Sequence, residues 1–512
     1  MKMKLYLVAI FMICTQTVYS QMPDKLFPQS KDIGKPKISG SSVYHPEDQS
    51  YSINASGYNI WFERDEFHYL YNTVEGDFIF TTNLGFEKEG SDPHMKIGIM
   101  LRASEEDNAA HVSAVLHGDG LTVMQWRKLK GAFMRDPQDE IFALKKNYQI
   151  LQLERKGDEF ILRGAHNGEP LQIIGSQVLP DMPDKLLTGL FTCSHNPNET
   201  VAGKFWNVRL DKPEIKDYDP YTSGFLGCRM ETMNVFDGKR KVIFAKKDRF
   251  EAPNWMPDGK KILFNMDGGI YTIPVDGGSL EKINTGTANN NNNDHGISFD
   301  GKMLAVSHHR EGLREGGSTI YVLPLEGGTP KLITEETPSY WHGWSADNKD
   351  VVFVAKRGET ESFNIYKASI KDSKETQLTF NNNTHVDGPE YSPDGKYIYY
   401  NGNQSGTMQV WRMKPDGSEK EQLTFDQYNN WFPHISPDGK WMVYLSFTED
   451  IEVDAHPSYK RVELKLVPLL KGDFAGAPKV IAYLYGGQGT INVPSWSPDS
   501  KHIAFVSNSG KE

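Results

Sequence analysis

Cysteine is nearly absent from this 512-residue sequence, which holds only Cys14, Cys193 and Cys228. That number is too small for a disulfide framework or a cysteine zinc module. Apolar runs are also short: past the first twenty residues none approaches the roughly 18 residues that mark a membrane-spanning helix. Basic charge is scarce, with 56 Lys and Arg against 67 Asp and Glu and a net charge of -11. This balance argues against nucleic acid and anionic membrane surfaces as partners. The sequence has no Gly-x-Ser-x-Gly elbow, no phosphate-binding glycine loop and no His-Glu-x-x-His helix, so the common serine-hydrolase, nucleotide-dependent and zinc-protease chemistries find no motif here.

The first twenty residues, MKMKLYLVAIFMICTQTVYS, combine two lysines, an apolar run from Leu5 to Cys14 and Val18-Tyr19-Ser20 before Gln21. They read as a secretory signal peptide over residues 1–20, which makes the mature chain exported, either periplasmic or secreted and cell-surface associated. A lipid anchor on Cys14 is the alternative, but Ile13 stands where such processing wants a small residue. Cys193 and Cys228 then remain, and an exported compartment would permit a bridge between them as readily as separate burial.

The second half repeats itself. NWMPDGKKILF, GISFDGKMLAV, GWSADNKDVVF, EYSPDGKYIYY, HISPDGKWMVY and SWSPDSKHIAF each lead a short strand into a Pro-Asp-Gly type turn and out along an alternating β-branched or aromatic strand. The turn aspartates, Asp258, Asp300, Asp347, Asp394, Asp438 and Asp499, fall about 42 to 61 residues apart, the period of propeller blades. Most hairpins are followed by a second strand pair such as IYTIPVDGGSLEKIN; the last is not, whereas METMNVFDGKRKVIF from Met230 precedes the first. The two ends are therefore expected to build the sixth blade together and leave no open sheet edge. These segments resemble TolB-type propeller repeats, distant relatives of WD-repeat blades, over roughly residues 227–510. The repeat specifies a fold more than a function.

From about residue 37 to 211 the pattern is strands separated by polar turns, without helical periodicity, which predicts a two-sheet sandwich. The order GDF, KIGIMLRA, LERKGDEF and FWNVRL resembles concanavalin-like, laminin-G-like jelly-roll domains of secreted carbohydrate-active proteins. No carboxylate pair in this half is placed as a glycosidase acid and nucleophile. Trp126 and Trp206 are candidate sugar platforms, with core packing as the competing role. Residues 212–225, with Pro213, Pro220 and Gly224, read as a linker. The expected fold class is all-β, a concanavalin-like sandwich followed by a six-bladed propeller over 227–512.

In a propeller the first strand of each blade lines the channel, so residues preceding the six repeated hairpins ring its mouth. Read at one register, these are Glu251, Asn293, Tyr340, Asp387, Trp431 and Asn492, with Asp294, Trp341, His385 and Asn430 beside them. Glu251, Asn293, Tyr340, Trp341, Asp387, Asn430, Trp431 and Asn492 are the candidate substrate-binding residues. His295, His342 and His385 are candidate metal ligands, since imidazole beside carboxylate suits a divalent metal such as Mn, Zn or Fe. The second strands return to the mouth and deliver His308, His309, Arg310 and Arg357, candidate catalytic groups. The competing reading is that a wet channel requires polar residues at its mouth whatever the function.

Three functions fit this pattern. One is an exported protein that binds poly- or oligosaccharide at the propeller mouth and through the sandwich. A second is a metal-dependent lyase on uronate-containing glycans, implied by a weaker resemblance to oligogalacturonate lyases; there Arg310 or Arg357 would grip the carboxylate. The third is an envelope protein-interaction scaffold of TolB type, with a partner protein at the mouth. A serine peptidase is not expected, since no α/β catalytic domain follows the propeller.

Overall fold

Period-2 alternation in the first half becomes two seven-stranded antiparallel sheets. In spatial order one sheet holds residues 29–33, 67–75, 185–193, 96–102, 111–117, 122–127 and 140–142; the other holds 172–178, 159–165, 150–156, 78–88, 201–211, 50–55 and 41–45. The computed structural model describes residues 25–213 and 218–508, so the signal peptide read over 1–20, with Cys14, lies outside the described residues. Leu70, Ile97, Ile99 and Leu101 of the first sheet share one core with Phe80, Leu84, Leu153 and Leu162 of the second. Each such side chain contributes about 1.5–3 kcal/mol on burial. Trp126 belongs to that core and is 3% exposed, which removes it as a sugar platform, whereas Trp206 is half-buried. Cys193 and Cys228 are both buried and free, so they do not pair.

The repeated hairpins form a six-bladed propeller. Five sheets span residues 251–283, 291–332, 339–377, 386–422 and 429–486. The sixth joins the strands Cys228–Asn234 and Arg240–Lys246 to His502–Asn508, with Trp496 bridging to Ile503 on the inner side. The ring is thus closed by strands from both ends of the propeller, as the repeat analysis expects.

The turn chemistry explains why the repeat is so regular. In every turn the aspartate accepts a backbone N–H two residues on, from 2.9 Å at Asp258 to 3.3 Å at Asp347. Where serine precedes it by two residues, that hydroxyl donates to the same carboxylate, at 2.6 Å for Ser497 to Asp499. Gly259, Gly301, Gly395 and Gly439 then take φ near 70°, conformations that cost L-residues energy. Asn348 and Ser500 fill that position in the other two turns, at φ 59° and 60°. Removing the carboxylate by Asp438→Ala deletes the bonds from Ser436 and Lys440. The expected result is a loss of about 1–2 kcal/mol, read as a lower denaturant midpoint; an unchanged midpoint would show that the turn is held by its backbone alone.

At the opposite, upper end of the inner strands the alternation breaks. Glu251 pairs with Asn265 but Asn254 with Leu263, Asp387 with Asn401 but Glu390 with Tyr399, and Trp431 with Leu445 but His434 with Val443. The blades beginning at Asn291 and Ser339 carry register shifts at the same level. Each extra residue is a β-bulge, which re-aims the side chains above it. Ala252, Gly388 and Phe432 take positive φ there, at 56°, 58° and 53°.

The two-sheet domain docks on the blades at the seam of the ring. Gln49 pairs its side-chain amide with Val242 through two 2.9 Å bonds, like an added strand residue. Arg461 reaches Glu154 at 2.6 Å, and Arg209 reaches the fully buried Glu231 at 2.6 Å. Backbone pairing of Gly168 with Val480 extends the junction.

Candidate functional site

A cavity of about 660 Å³ opens at the propeller mouth, with walls from every blade. Glu251 comes from the first blade, Asn291 to Asp294 from the second, Tyr340 and His342 from the third, His385 and Asp387 from the fourth, Phe432 and His456 from the fifth, and Asn492 from the strand approaching the sixth. Among its lining residues none belongs to the two-sheet domain.

Asp387 is the centre of this site. Its Oδ1 lies 2.9 Å from His342 Nε2 and accepts the Gly388 N–H at 2.8 Å; its Oδ2 lies 3.9 Å from His385 Nε2 and 3.7 Å from His456 Nε2. Burial pushes the Asp387 carboxyl up, but the imidazole of His342, in contact and charged, holds it well below the usual carboxylate range. Burial likewise opposes charge on His342, and the Asp387 carboxylate outweighs it, so that imidazole is raised. His456 packs edge-on against Trp431, with ring centroids 4.5 Å apart, and burial lowers its pKa.

Asp294 has the opposite character. It is 6% exposed, and burial, followed by the negative charges of Asp387 and Glu251, pushes it up to about 7. Glu251 is occupied by Arg249 at 2.6 Å, and that guanidinium lies over the rings of Tyr221 and Phe225 at 4.9 and 5.2 Å. Lys246 pairs with Asp248 at 3.0 Å on the rim.

Of the residues singled out in the sequence, Glu251, Asn293, Asp294, His309, Tyr340, His342, His385, Asp387 and Asn492 line this cavity. Trp341 and Trp431 do not: both are fully buried between blades, because the bulges turn them inward and leave Tyr340 and Phe432 facing the cavity. Asn430 is also fully buried, bonded to Gln409, Asp426 and Ser446. His295 is fully buried outside the cavity, and burial lowers it to about 4. His308 faces away, its Nδ1 accepting the Asn290 N–H at 3.1 Å and its ring against Tyr321. Arg310 is not in the wall. Arg357 is tied to Glu375 at 2.9 Å and to the Pro338 carbonyl at 3.1 Å, away from the mouth. Among the described residues no group of three or more His, Cys, Asp and Glu side chains is spaced to hold a metal; the imidazoles of the mouth surround a carboxylate instead.

Sequence reasoning missed His456, Arg249, Gln488, Tyr221 and Phe225. His456 sits in the loop that makes the interval between Asp438 and Asp499 the longest of the five, and that interval was the available signal. Tyr221 and Phe225 lie in the segment read as a linker; Tyr221 is in a single helical turn, Pro220–Ser223, capped by Asp219.

Comparison with known proteins places this architecture. The family model described as the TolB beta propeller domain matches residues 313–467. An uncharacterized protein of Agrobacterium fabrum is 43% identical over 284 residues, 55% of this chain and 93% of its own length. A solved structure of a provisionally assigned TolB from Agrobacterium tumefaciens shares 42% identity, with a TM-score of 0.51, over 55% of this chain and 98% of that one. The Tol-Pal system protein TolB of Francisella tularensis is 26% identical over 223 residues, and the match spans 49% of its length. With a continuous match of this identity over almost the whole of a relative, and six blades closed from both ends, the chain belongs to the TolB-type β-propeller proteins.

Proposed function

We propose that this is an exported glycan-binding protein whose propeller mouth takes a poly- or oligosaccharide. The observation that carries the reading is the composition of the mouth: amides, carboxylates and imidazoles from six blades converge with the half-buried rings of Tyr340 and Phe363 in one cavity, backed by the buried ring of Phe432. Side chains that both donate and accept suit vicinal hydroxyls, and aromatic faces suit the apolar face of a sugar ring. The first twenty residues, read as a signal peptide, and the acid excess support a protein working outside the cytoplasm. Among the described residues no helix is long and apolar enough to cross a membrane. The two-sheet domain, read as concanavalin-like, stands off the mouth and would offer a second glycan surface.

The lyase alternative is less well served. A uronate carboxylate needs a free cation, yet among the described residues Arg249 is the one guanidinium lining the cavity and it is paired with Glu251. The imidazoles around Asp387 are not spaced, among the described residues, to hold a divalent metal. The scaffold alternative draws on the TolB-type propeller, with a protein segment in the same mouth.

The test is a printed array of neutral, amino and uronate oligosaccharides, followed by calorimetry on the best binder. Wild type is expected to bind, and Tyr340→Ala to weaken binding about tenfold or more, the scale of an aromatic anchor. Silence across the array, with an envelope protein captured through the same mouth residues, would replace this reading with the scaffold. Stoichiometric manganese, zinc or iron lost in His342→Ala would restore the lyase.

A further inference from the structure

We propose that the mouth recognises an ammonium group, so that the glycan it takes carries free amino sugar; this rests on the glycan reading above. The carboxylates lining the cavity have a cation in contact except at one point: Glu251 has Arg249, Asp387 has His342, and Asp248 and Asp267 share Lys246, at 3.0 and 3.7 Å. Among the described residues no cation lies within salt-bridge distance of Asp294, which is 6% exposed in the same wall. Its backbone N–H is used by Asn292, at 2.9 Å, but its carboxyl faces the cavity without a donor.

The neighbouring amides repeat that deficit. The side-chain carbonyl oxygens of Asn265 and Asn291, in residues 6% and 5% exposed, have no hydrogen-bond partner. Three acceptors without donors therefore belong to the lining of one cavity. An ammonium supplies the N–H donors and the positive charge that this lining lacks. The ring of Tyr340, whose hydroxyl is pushed up to about 12 by burial and by Asp294, adds an aromatic face suited to a cation. Asn293 Nδ2, an unpartnered donor beside them, is left for a sugar hydroxyl.

Burial without a cation in contact also accounts for the state of Asp294. The groups facing it are His342 and Tyr340 from the third blade, Asp387 from the fourth, and Glu251 and Arg249 from the first. With burial and two carboxylates against it, Asp294 ionises only near neutrality, and a bound ammonium would pull that ionisation down. Binding is then expected to release protons below pH 7.

Calorimetry with three probes decides the matter: a glucosamine tetramer, an N-acetylglucosamine tetramer and a galacturonate tetramer. At pH 7 the glucosamine tetramer is expected to bind at least tenfold tighter than the acetylated one. Its affinity should fall as pH drops through 7, because Asp294 takes up a proton, and fall again above neutrality as the amine loses its own. Asp294→Asn, nearly isosteric and checked by its melting temperature, is expected to bring the glucosamine and N-acetylglucosamine tetramers to equal affinity and to flatten the acid limb. Asn292→Asp, which keeps the bond to the Asp294 N–H and adds a charge, is expected to strengthen amino-sugar binding. Equal binding of both tetramers in wild type, unmoved by either variant, would overturn the inference and leave glycan binding standing. Preference for galacturonate would overturn it in favour of the lyase. Binding of none of the three, nor of any glycan on the array, would remove the glycan reading and the inference with it.

Discussion

Glu231→Ala is expected to destabilise the protein by about 3–5 kcal/mol, the cost of breaking a buried ion cluster from one side. Glu231 is fully buried in the sixth blade, where it receives Arg240 at 2.8 Å, Arg209 at 2.6 Å and the Ser507 hydroxyl at 2.7 Å. Arg209 belongs to the last strand of the two-sheet domain, and Ser507 to the strand that closes the ring. Removing the carboxylate would strand two guanidinium groups in a dry junction at the point where both ends of the propeller and the second domain meet. Denaturant unfolding followed by tryptophan fluorescence should show the first transition at a markedly lower midpoint. Its pH dependence has a definite sign. Burial pushes Glu231 up, but the two arginines outweigh it and hold it far below the ordinary carboxylate range. A depressed carboxyl contributes stability above its unfolded pKa, about 4.3, and loses it as pH falls through the folded value. The gap between wild type and variant should therefore be full at pH 7 and narrow in acid. A gap below about 1 kcal/mol at pH 7 would mean that water reaches the arginines and the junction is open.

That junction was not legible in the sequence, although the propeller was. Six Asp-centred turns are chemical signatures, because a carboxylate bonding the N–H two residues on and a position at positive φ, glycine in four of the six, leave few alternatives in residue type. Blade closure was legible for a related reason: an orphan strand pair at Met230 and a missing pair after Ser495 fit only one another. Side-chain direction at the mouth was another matter. Trp341 and Trp431 look like exposed platforms if strands alternate strictly, but each sits beside a bulge that a period-2 reading cannot place. Phe432 and Ala252 adopt positive φ without being glycine, so residue type gives no warning. His456 and Tyr221 reach the site from irregular segments whose course depends on tertiary packing. The pairing of strands in the first domain, where residues 67–75 lie beside 185–193, is equally non-local and carries no local mark.

Asp387→Asn is expected to have the largest effect at the mouth, because one carboxylate organises three imidazoles there. His342 is 4% exposed, and the carboxylate 2.9 Å away is the largest influence raising its imidazole against burial. Without it, only the Asp294 carboxyl and the Asn492 backbone are left to oppose burial, and the imidazole should titrate lower than in the wild type. NMR of the His342 ring reads this directly and needs no ligand: a raised titration in wild type, and a lower one in the variant than in wild type. The stability contribution has the sign of a raised group, present below the unfolded pKa and lost as pH rises through the folded one. Asparagine keeps the Gly388 contact but offers His342 no charge, and it leaves the mouth one negative charge short. Loss of a hydrogen bond to a charged group is worth about 1.5–3 kcal/mol, roughly 10- to 150-fold in affinity for whatever the mouth binds. Affinity unchanged with the His342 titration shifted would show that Asp387 serves the wall and not the ligand. An unshifted titration would mean that solvent, rather than the carboxylate, sets the charge of His342, and the account of this cluster would fall.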